Sequence, residues 1–505
     1  MAADRTTTAQ ESLWLQGFDS AARFPALTGD TRADVVVVGA GIAGLTTALR
    51  LRQAGAEVAV VEADRVGHGV SGNNTAKVSA LQATVYSRLV RRHGVDAAKG
   101  YARANLAGVE DVAATVRELA IDCDLSRRPA YTFALNPDER DAVRAEYRAA
   151  RQAGLAVVDD PDAGGELPLP VHDAIRLDDQ LTFHPVRYLK GLAAAVDGGG
   201  SRVHEYSRVR SVRTGGSVVV RTDAGSVTAD RAVIATHAPL LDRGLFFARL
   251  EAVRSYCVAV RLRSGTPPIG LSISAGDPAW SLASTADLLI VGGQGHPTGR
   301  RGVDRSRYAE LESFAREHWD VAETVHRWSA QDLLAYDDLP MIGPYLPGSA
   351  NLYVLTGFRK WGLAMATAGA GLLADLVAGR ESPSAALFSP HRVSLRGAPK
   401  LAGLNGKVAV DLVGDRLRPG EVSDPADVPV GEARVLRRGL SQFGVHRGTD
   451  GTLNAVSLRC THLGCLLRFN GAETSWDCPC HGSRFAVDGA VLEGPATDPL
   501  PRHDV

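Results

Sequence analysis

Two short stretches near the C-terminal end carry the most specific chemistry in the chain: CTHLGC, with Cys460, His462 and Cys465, and CPCHGS, with Cys478, Cys480 and His481. Cys460 and His462 stand as C-x-H, Cys478 and His481 as C-x-x-H, with residues 463–477 between the pairs. Two thiolates and two imidazoles would satisfy tetrahedral zinc. Zinc fingers, however, pair cysteine with cysteine and histidine with histidine, whereas each loop here supplies one of each. That arrangement suits a [2Fe–2S] cluster with two cysteines on one iron and two histidines on the other. Cys123 and Cys257 stand alone and read as small buried hydrophobes.

A second constellation lies in residues 34–62. Gly39, Gly41 and Gly44 follow the run Val35 to Val38 in G-x-G-x-x-G spacing, and Glu62 ends the next apolar run. The first glycine permits a tight turn, the second lets backbone approach a pyrophosphate, and the third lets helix pack on strand. Amides at the helix start hold the phosphate charge, and the terminal carboxylate holds a ribose. In the loop that follows, Ser71, Gly72, Asn73 and Thr75 could donate hydrogen bonds to a cofactor, with Lys77 setting charge beside its ring. GGQGHPTG at 292–299 nearly repeats the signature, but Thr298 stands where the third glycine belongs. It is expected as a strand-end loop, with His296 pointing into a cleft or simply capping the turn. One dinucleotide site is therefore expected, not two.

The elements that must position these groups are legible in outline. Helical spacing dominates 101–119 and 137–154, and short strands with turns occupy 198–235. RAVIAT at 231–236 reads as a buried strand returning to the main sheet, and 352–356 as another, followed by GFRKWG and an apolar helix over 363–377. Asp375 and many small residues make that helix a buried one rather than a membrane span. Residues before Arg32 are polar and expected on the surface. Residues 380–430 are rich in proline and polar groups, and 391–430 reads as a linker. From Glu432 onward the pattern is short strands and turns.

With 505 residues, 45% hydrophobic and 22% charged, the chain has the composition of a soluble multidomain protein. Its formal net charge of −1 gives no basic excess for nucleic acid. The first residues lack the apolar core of a signal peptide, so a cytoplasmic location without membrane insertion is expected.

Two family resemblances follow. The glycine signature with Glu62, RAVIATHAP at 231–239, and DLPMIGP with LTGFRKWG up to residue 362 together resemble the D-amino-acid oxidase and glycine oxidase superfamily of FAD flavoproteins. The likeness spans about residues 30–390. It implies FAD, with Val209 near the adenine, Thr236 at the end of the returning strand, and Gly357, Trp361 and Gly362 near the flavin pyrimidine edge. Lys77 and Lys360 become flavin-side charges, and Tyr256, His296 and Trp328 candidate linings for an amine or amino-acid substrate. No cysteine stands beside these motifs, which disfavours a cysteine-linked flavin.

CTHLGC, CPCHGS and the GPA of 494–496 resemble the Rieske proteins of cytochrome bc complexes. The resemblance implies a Rieske [2Fe–2S] cluster on Cys460, His462, Cys478 and His481, and a disulfide between Cys465 and Cys480. High-potential relatives place a serine and a tyrosine hydroxyl near the cluster. Here Ser483 is present but Phe485 occupies the tyrosine position. Fewer donors place the potential below the top of the ~ −150 to +300 mV Rieske range.

The fold expected is an α/β FAD-binding Rossmann-like domain over 1–390 with an inserted α+β substrate subdomain, approximately 90–190 and 240–330, then the linker, then a small all-β Rieske domain over 431–505. The function expected is dehydrogenation of a small amine or amino acid at FAD, with electrons leaving through the cluster to an external acceptor. Reverse flow from cluster to flavin, or a redox-sensing protein, would use the same parts.

Overall fold

The computed structural model describes residues 10–17, 24–414, 419–439 and 441–504. Its first layer is built on Gly29–Val38, whose last four residues are valines buried on both faces. That strand lies parallel between Val58–Val61 and Gly225–Ile234, with Val38 opposite both Val61 and Ile234. Leu352–Thr356 pairs parallel with Gly225–Ile234, Arg202–His204 extends the other edge, and Met341–Pro344 adds an antiparallel strand. Near-continuous β-branched runs are the expected signature of such a sheet, because helices cover it. Ile42–Gln53 and Gly362–Val377 pack side by side on one face. Gly362–Val377 is apolar nearly all round, as a buried helix must be, and Ile42–Gln53 is buried from Ile42 to Leu49 and at Leu51.

A second, mixed sheet runs in the order 321–335, 250–262, 288–297, 281–285, 271–274, 126–134, 173–182 and 77–78. It is the inserted α+β subdomain, and it draws strands from 77–182 and 250–335. GGQGHPTG differs from its expectation: Leu288–Pro297 is one continuous strand, so Gly292, Gly293 and Gly295 lie in a sheet, and Gly299 falls in the turn beyond it. The close approach of neighbours explains them, since a Cβ at Gly292 would sit 3.2 Å from Cys257 Sγ and one at Gly293 3.1 Å from the Ala279 carbonyl.

The C-terminal unit is all-β, with a three-stranded sheet (Ala433–Arg438, Ser441–Arg447, Leu453–Ser457) and a four-stranded one (Arg468–Asn470, Ser475–Asp477, Arg484–Ala486, Val491–Glu493). The segment 391–430, read as a linker, carries a helix, Ala398–Gly414. Its Leu401 and Leu404 pack on the core of the first domain, and Asn405 donates to the Ala248 carbonyl. No helix among the described residues is long and apolar enough to cross a membrane.

Candidate functional site

The turn after Val38 is closed by contacts that only glycine permits. Gly39 has φ +108° and a Cβ there would lie 2.6 Å from the Ala235 carbonyl oxygen; a Cβ on Gly44 would lie 1.9 Å from the Gly39 oxygen. Gly39 and Gly44 thus shape the turn, while Gly41 faces the cavity beside it. At the helix start, Ile42 N–H donates to Ser71 Oγ at 3.1 Å. Glu62 accepts from Ala40 N–H at 2.7 Å through Oε2 and from Asp64 N–H at 3.0 Å through Oε1. Burial pushes the Glu62 carboxyl up despite those bonds.

A cavity of about 1030 Å³ runs from this turn past Val209 and Thr236 to Lys360, Trp361 and Gly362. That is the upper end of ordinary ligand pockets, as an extended dinucleotide requires. The glycine cradle, the carboxylate and the long cavity fit FAD. Ser71, Asn73, Thr75 and Lys77 line it. The Asn73 amide, however, is spent on the His68 and Gly69 carbonyls, so it shapes the loop. Gly72 and Gly357 stand behind the lining: a Cβ on Gly72 would meet the Gly67 oxygen at 2.2 Å, and Gly357 turns the chain at φ +79°. Residues 10–17 do more than cover the surface. Trp14 is buried and donates to the Asn74 carbonyl at 2.8 Å, placing Ser12 and Leu15 in the cavity wall.

Two lysines face the same space. Lys77 Nζ donates to the Ser272 carbonyl at 2.7 Å and to Ser281 Oγ at 2.6 Å, and desolvation lowers its pKa to about 7. Lys360 Nζ reaches Ser255 Oγ at 2.6 Å. It is open to the cavity rather than packed, yet the surrounding protein still lowers its pKa by desolvation, with Asp332 opposing.

In the C-terminal unit the two cysteine–histidine loops meet. Cys465 and Cys480 form a disulfide joining them, while Cys460 and Cys478 are buried free thiols. Contact with the Cys478 thiol draws the Cys460 thiol down from its ordinary value. The His462 and His481 rings lie 5.1 Å apart, and the Nδ1 atoms of both are buried with no hydrogen-bond partner. Buried polar nitrogens without partners are rare, and two beside two thiols are the donor set of a Rieske cluster. Ser483 Oγ accepts from Ala496 N–H at 3.0 Å and its hydroxyl reaches Cys460. Phe485 is fully buried in the same core as Cys460 and Cys478. Phe485→Tyr is expected to raise the cluster midpoint by roughly 20–65 mV, the one-electron equivalent of a single ~0.5–1.5 kcal/mol hydrogen bond. Potentiometry followed by electron paramagnetic resonance checks it; an unchanged midpoint would place the ring edge away from sulfur.

Residues 34–376 match the family described as FAD dependent oxidoreductase (DAO), and residues 419–504 match the Rieske [2Fe-2S] domain. The chain belongs to the DAO family. Over 506 residues it is 33% identical to a Bacillus subtilis protein, YhfW, named as a Rieske 2Fe-2S iron-sulfur protein, covering 98% of each chain. It is 26% identical over 382 residues to gamma-glutamylputrescine oxidoreductase of Escherichia coli, covering 71% of this chain and 86% of that one. The glycine oxidase structure from Geobacillus kaustophilus shares the fold, with TM-score 0.61 and 22% identity over 72% of this chain and 99% of that one. This DAO-family protein therefore holds FAD and a Rieske [2Fe–2S] cluster.

What sequence reasoning missed is how the DAO domain and the Rieske domain share one site. Residues 491–497 of the Rieske domain form a wall of the FAD cavity. In the same lining, Arg254, 1% exposed, pairs with Glu493 at 3.1 Å and Glu473 at 3.7 Å, and Arg484 pairs with the same Glu493 at 3.1 Å. Gln331 Nε2 donates to the Gly482 carbonyl at 2.8 Å. Tyr256 and Trp328 do line the cavity, but the Tyr256 hydroxyl is engaged by His296 Nε2 at 3.0 Å and Asn470 Nδ2 at 3.3 Å. His296 is buried in that junction and does not face the cleft, because its strand continues where a loop was expected.

Glu62→Ala is expected to weaken FAD binding roughly 10- to 150-fold, the equivalent of losing a charge-assisted bond worth ~1.5–3 kcal/mol. Cofactor occupancy after dialysis measures it. Full retention at wild-type affinity would remove Glu62 from the ribose site.

Proposed function

We propose that this chain dehydrogenates a small amine or amino acid at FAD and passes the electrons through its Rieske cluster to an external acceptor. The observation that carries this reading is the shared cavity, bounded by the phosphate turn on one side and by Rieske residues 491–497 on the other. Two redox sites with a common wall favour internal transfer, since tethering raises effective concentration without further contacts. A substrate amine is supported by the similarity to gamma-glutamylputrescine oxidoreductase and by the fold shared with glycine oxidase.

FAD supplies a two-electron acceptor and the cluster a one-electron carrier. Gly39, Gly41, Ser71, Glu62, Val209, Thr236, Trp361 and Gly362 would hold the first, and Cys460, His462, Cys478 and His481 the second. Tyr256 and Trp328, both buried, close the subdomain side and keep water from the reacting carbon. In this reading Lys77 would take a proton from the substrate, and Lys360 would counter negative charge beside it.

A panel of amines and amino acids mixed anaerobically with the holoprotein tests the reading. Bleaching of the flavin followed by the reduced-cluster resonance is the expected result. A cluster that fills before the flavin, from an external reductant, would reverse the direction. Reduction that alters only association with another protein, with no turnover on any acceptor, would give the sensor instead.

A further inference from the structure

The Rieske domain receives two side chains from the flavin domain at its metal-binding edge, Asp242 and Phe247. Asp242 opens the short turn Asp242–Gly244, eight residues past the returning strand Gly225–Ile234, and its Oδ1 lies 2.7 Å from His462 Nε2. A carboxylate only accepts, so Nε2 carries the hydrogen and Nδ1 is left with its lone pair. That Nδ1 is the buried atom with no protein partner. Phe247, five residues beyond Asp242, sets its ring edge-on to both imidazoles, 5.2 Å from His462 and 4.7 Å from His481. The His462 side chain is 4% exposed as a result. The flavin domain thus covers the histidine edge and contributes its own carboxylate to one of the two rings.

We propose that Asp242 is a positioning residue for the cluster: it locks His462 in the metal-binding tautomer and, by its charge, lowers the cluster's reduction potential. A carboxylate behind a ligating imidazole fixes the ring and raises its basicity. Reduction adds negative charge to a site that already faces this carboxylate, so the oxidised form gains relatively. Asp242 itself is half-exposed, and water screens its field. The hydrogen bond therefore transmits most of the effect. Because the acceptor comes from the other domain, the potential is set by docking: the cluster has its working value only when seated on the flavin domain. This rests on the Rieske cluster and not on the identity of the electron donor.

The test uses full-length protein holding both cofactors, reduced stepwise with dithionite in the absence of substrate, so failure of the amine reading cannot affect it. Asp242→Asn keeps an acceptor oxygen but removes the charge; Asp242→Ala removes both. The midpoint is expected to rise in the first and further in the second, with the flavin midpoint unchanged. Loss of iron from Asp242→Ala, with iron retained in Asp242→Asn, would equally support the tautomer lock. Gln331→Leu serves as the control, since it removes an interdomain bond to the Gly482 carbonyl without touching a ligand ring. A wild-type midpoint with full iron in Asp242→Ala overturns the proposal. So does a shift in Gln331→Leu as large as that in Asp242→Ala, which would assign the effect to loosened docking.

Discussion

His481→Ser is expected to leave the protein yellow and reducible by substrate while abolishing the Rieske resonance and most of its turnover. The imidazole Nδ1 has no protein partner, so nothing in the fold substitutes for it, and a serine oxygen is too short to reach the same place. The phosphate turn, Glu62 and the two lysines all belong to the other domain. The junction retains Arg254 with Glu493 and Gln331 with Gly482, so the flavin cavity keeps its Rieske wall. Stopped-flow absorbance separates the events: the single anaerobic reduction of flavin should stay near wild type. Steady-state turnover with the natural acceptor should fall by ~10²-fold or more, the order that tethering contributes. Equal turnover with and without the cluster would mean that electrons leave the flavin directly.

Both cofactor sites were legible because their residues are close in sequence and each pattern has a local physical cause. Gly39 to Gly44 and Glu62 lie within one strand–helix–strand unit, and the cluster residues lie in two neighbouring loops. The rest was hidden for a common reason. Asp242 and His462 are separated by 220 residues and Arg254 and Glu493 by 239, and no periodicity records such pairs. The helix Ala398–Gly414 lies in a stretch whose proline and polar content reads as linker; tertiary packing of Leu401 and Leu404 on the flavin domain supplies what that composition does not show. GGQGHPTG misled in the same way, since glycines that mark a loop in isolation here let strands and side chains approach within a sheet. His296 moved from the cleft to the junction with that one change.

The proposed role of Lys77 as proton acceptor follows from its surroundings. It sits in the short strand Lys77–Val78, 6% exposed, and its ammonium would be held only by a carbonyl and a hydroxyl. Desolvation without a paired carboxylate accounts for a pKa lowered to about 7, well below that of an ordinary lysine. A group poised near the working pH is the effective kind of proton acceptor. A protonated substrate amine cannot give up a hydride until its nitrogen lone pair is free, and neutral Lys77 can take that proton. Below pH 7 the lysine is charged and cannot accept; above it the neutral form predominates. The rate of anaerobic flavin reduction should therefore rise with pH through about 7 and then level. Lys77→Met should lower the plateau by ~10²–10⁴-fold, the usual range for a lost general base, and remove the limb near 7. Lys77→Arg, charged at every accessible pH, should fare no better provided FAD occupancy is intact. If Lys77→Met keeps both the rate and the limb, the titrating group is the substrate's own amine, and Lys77 only shapes the wall between Ser272 and Ser281.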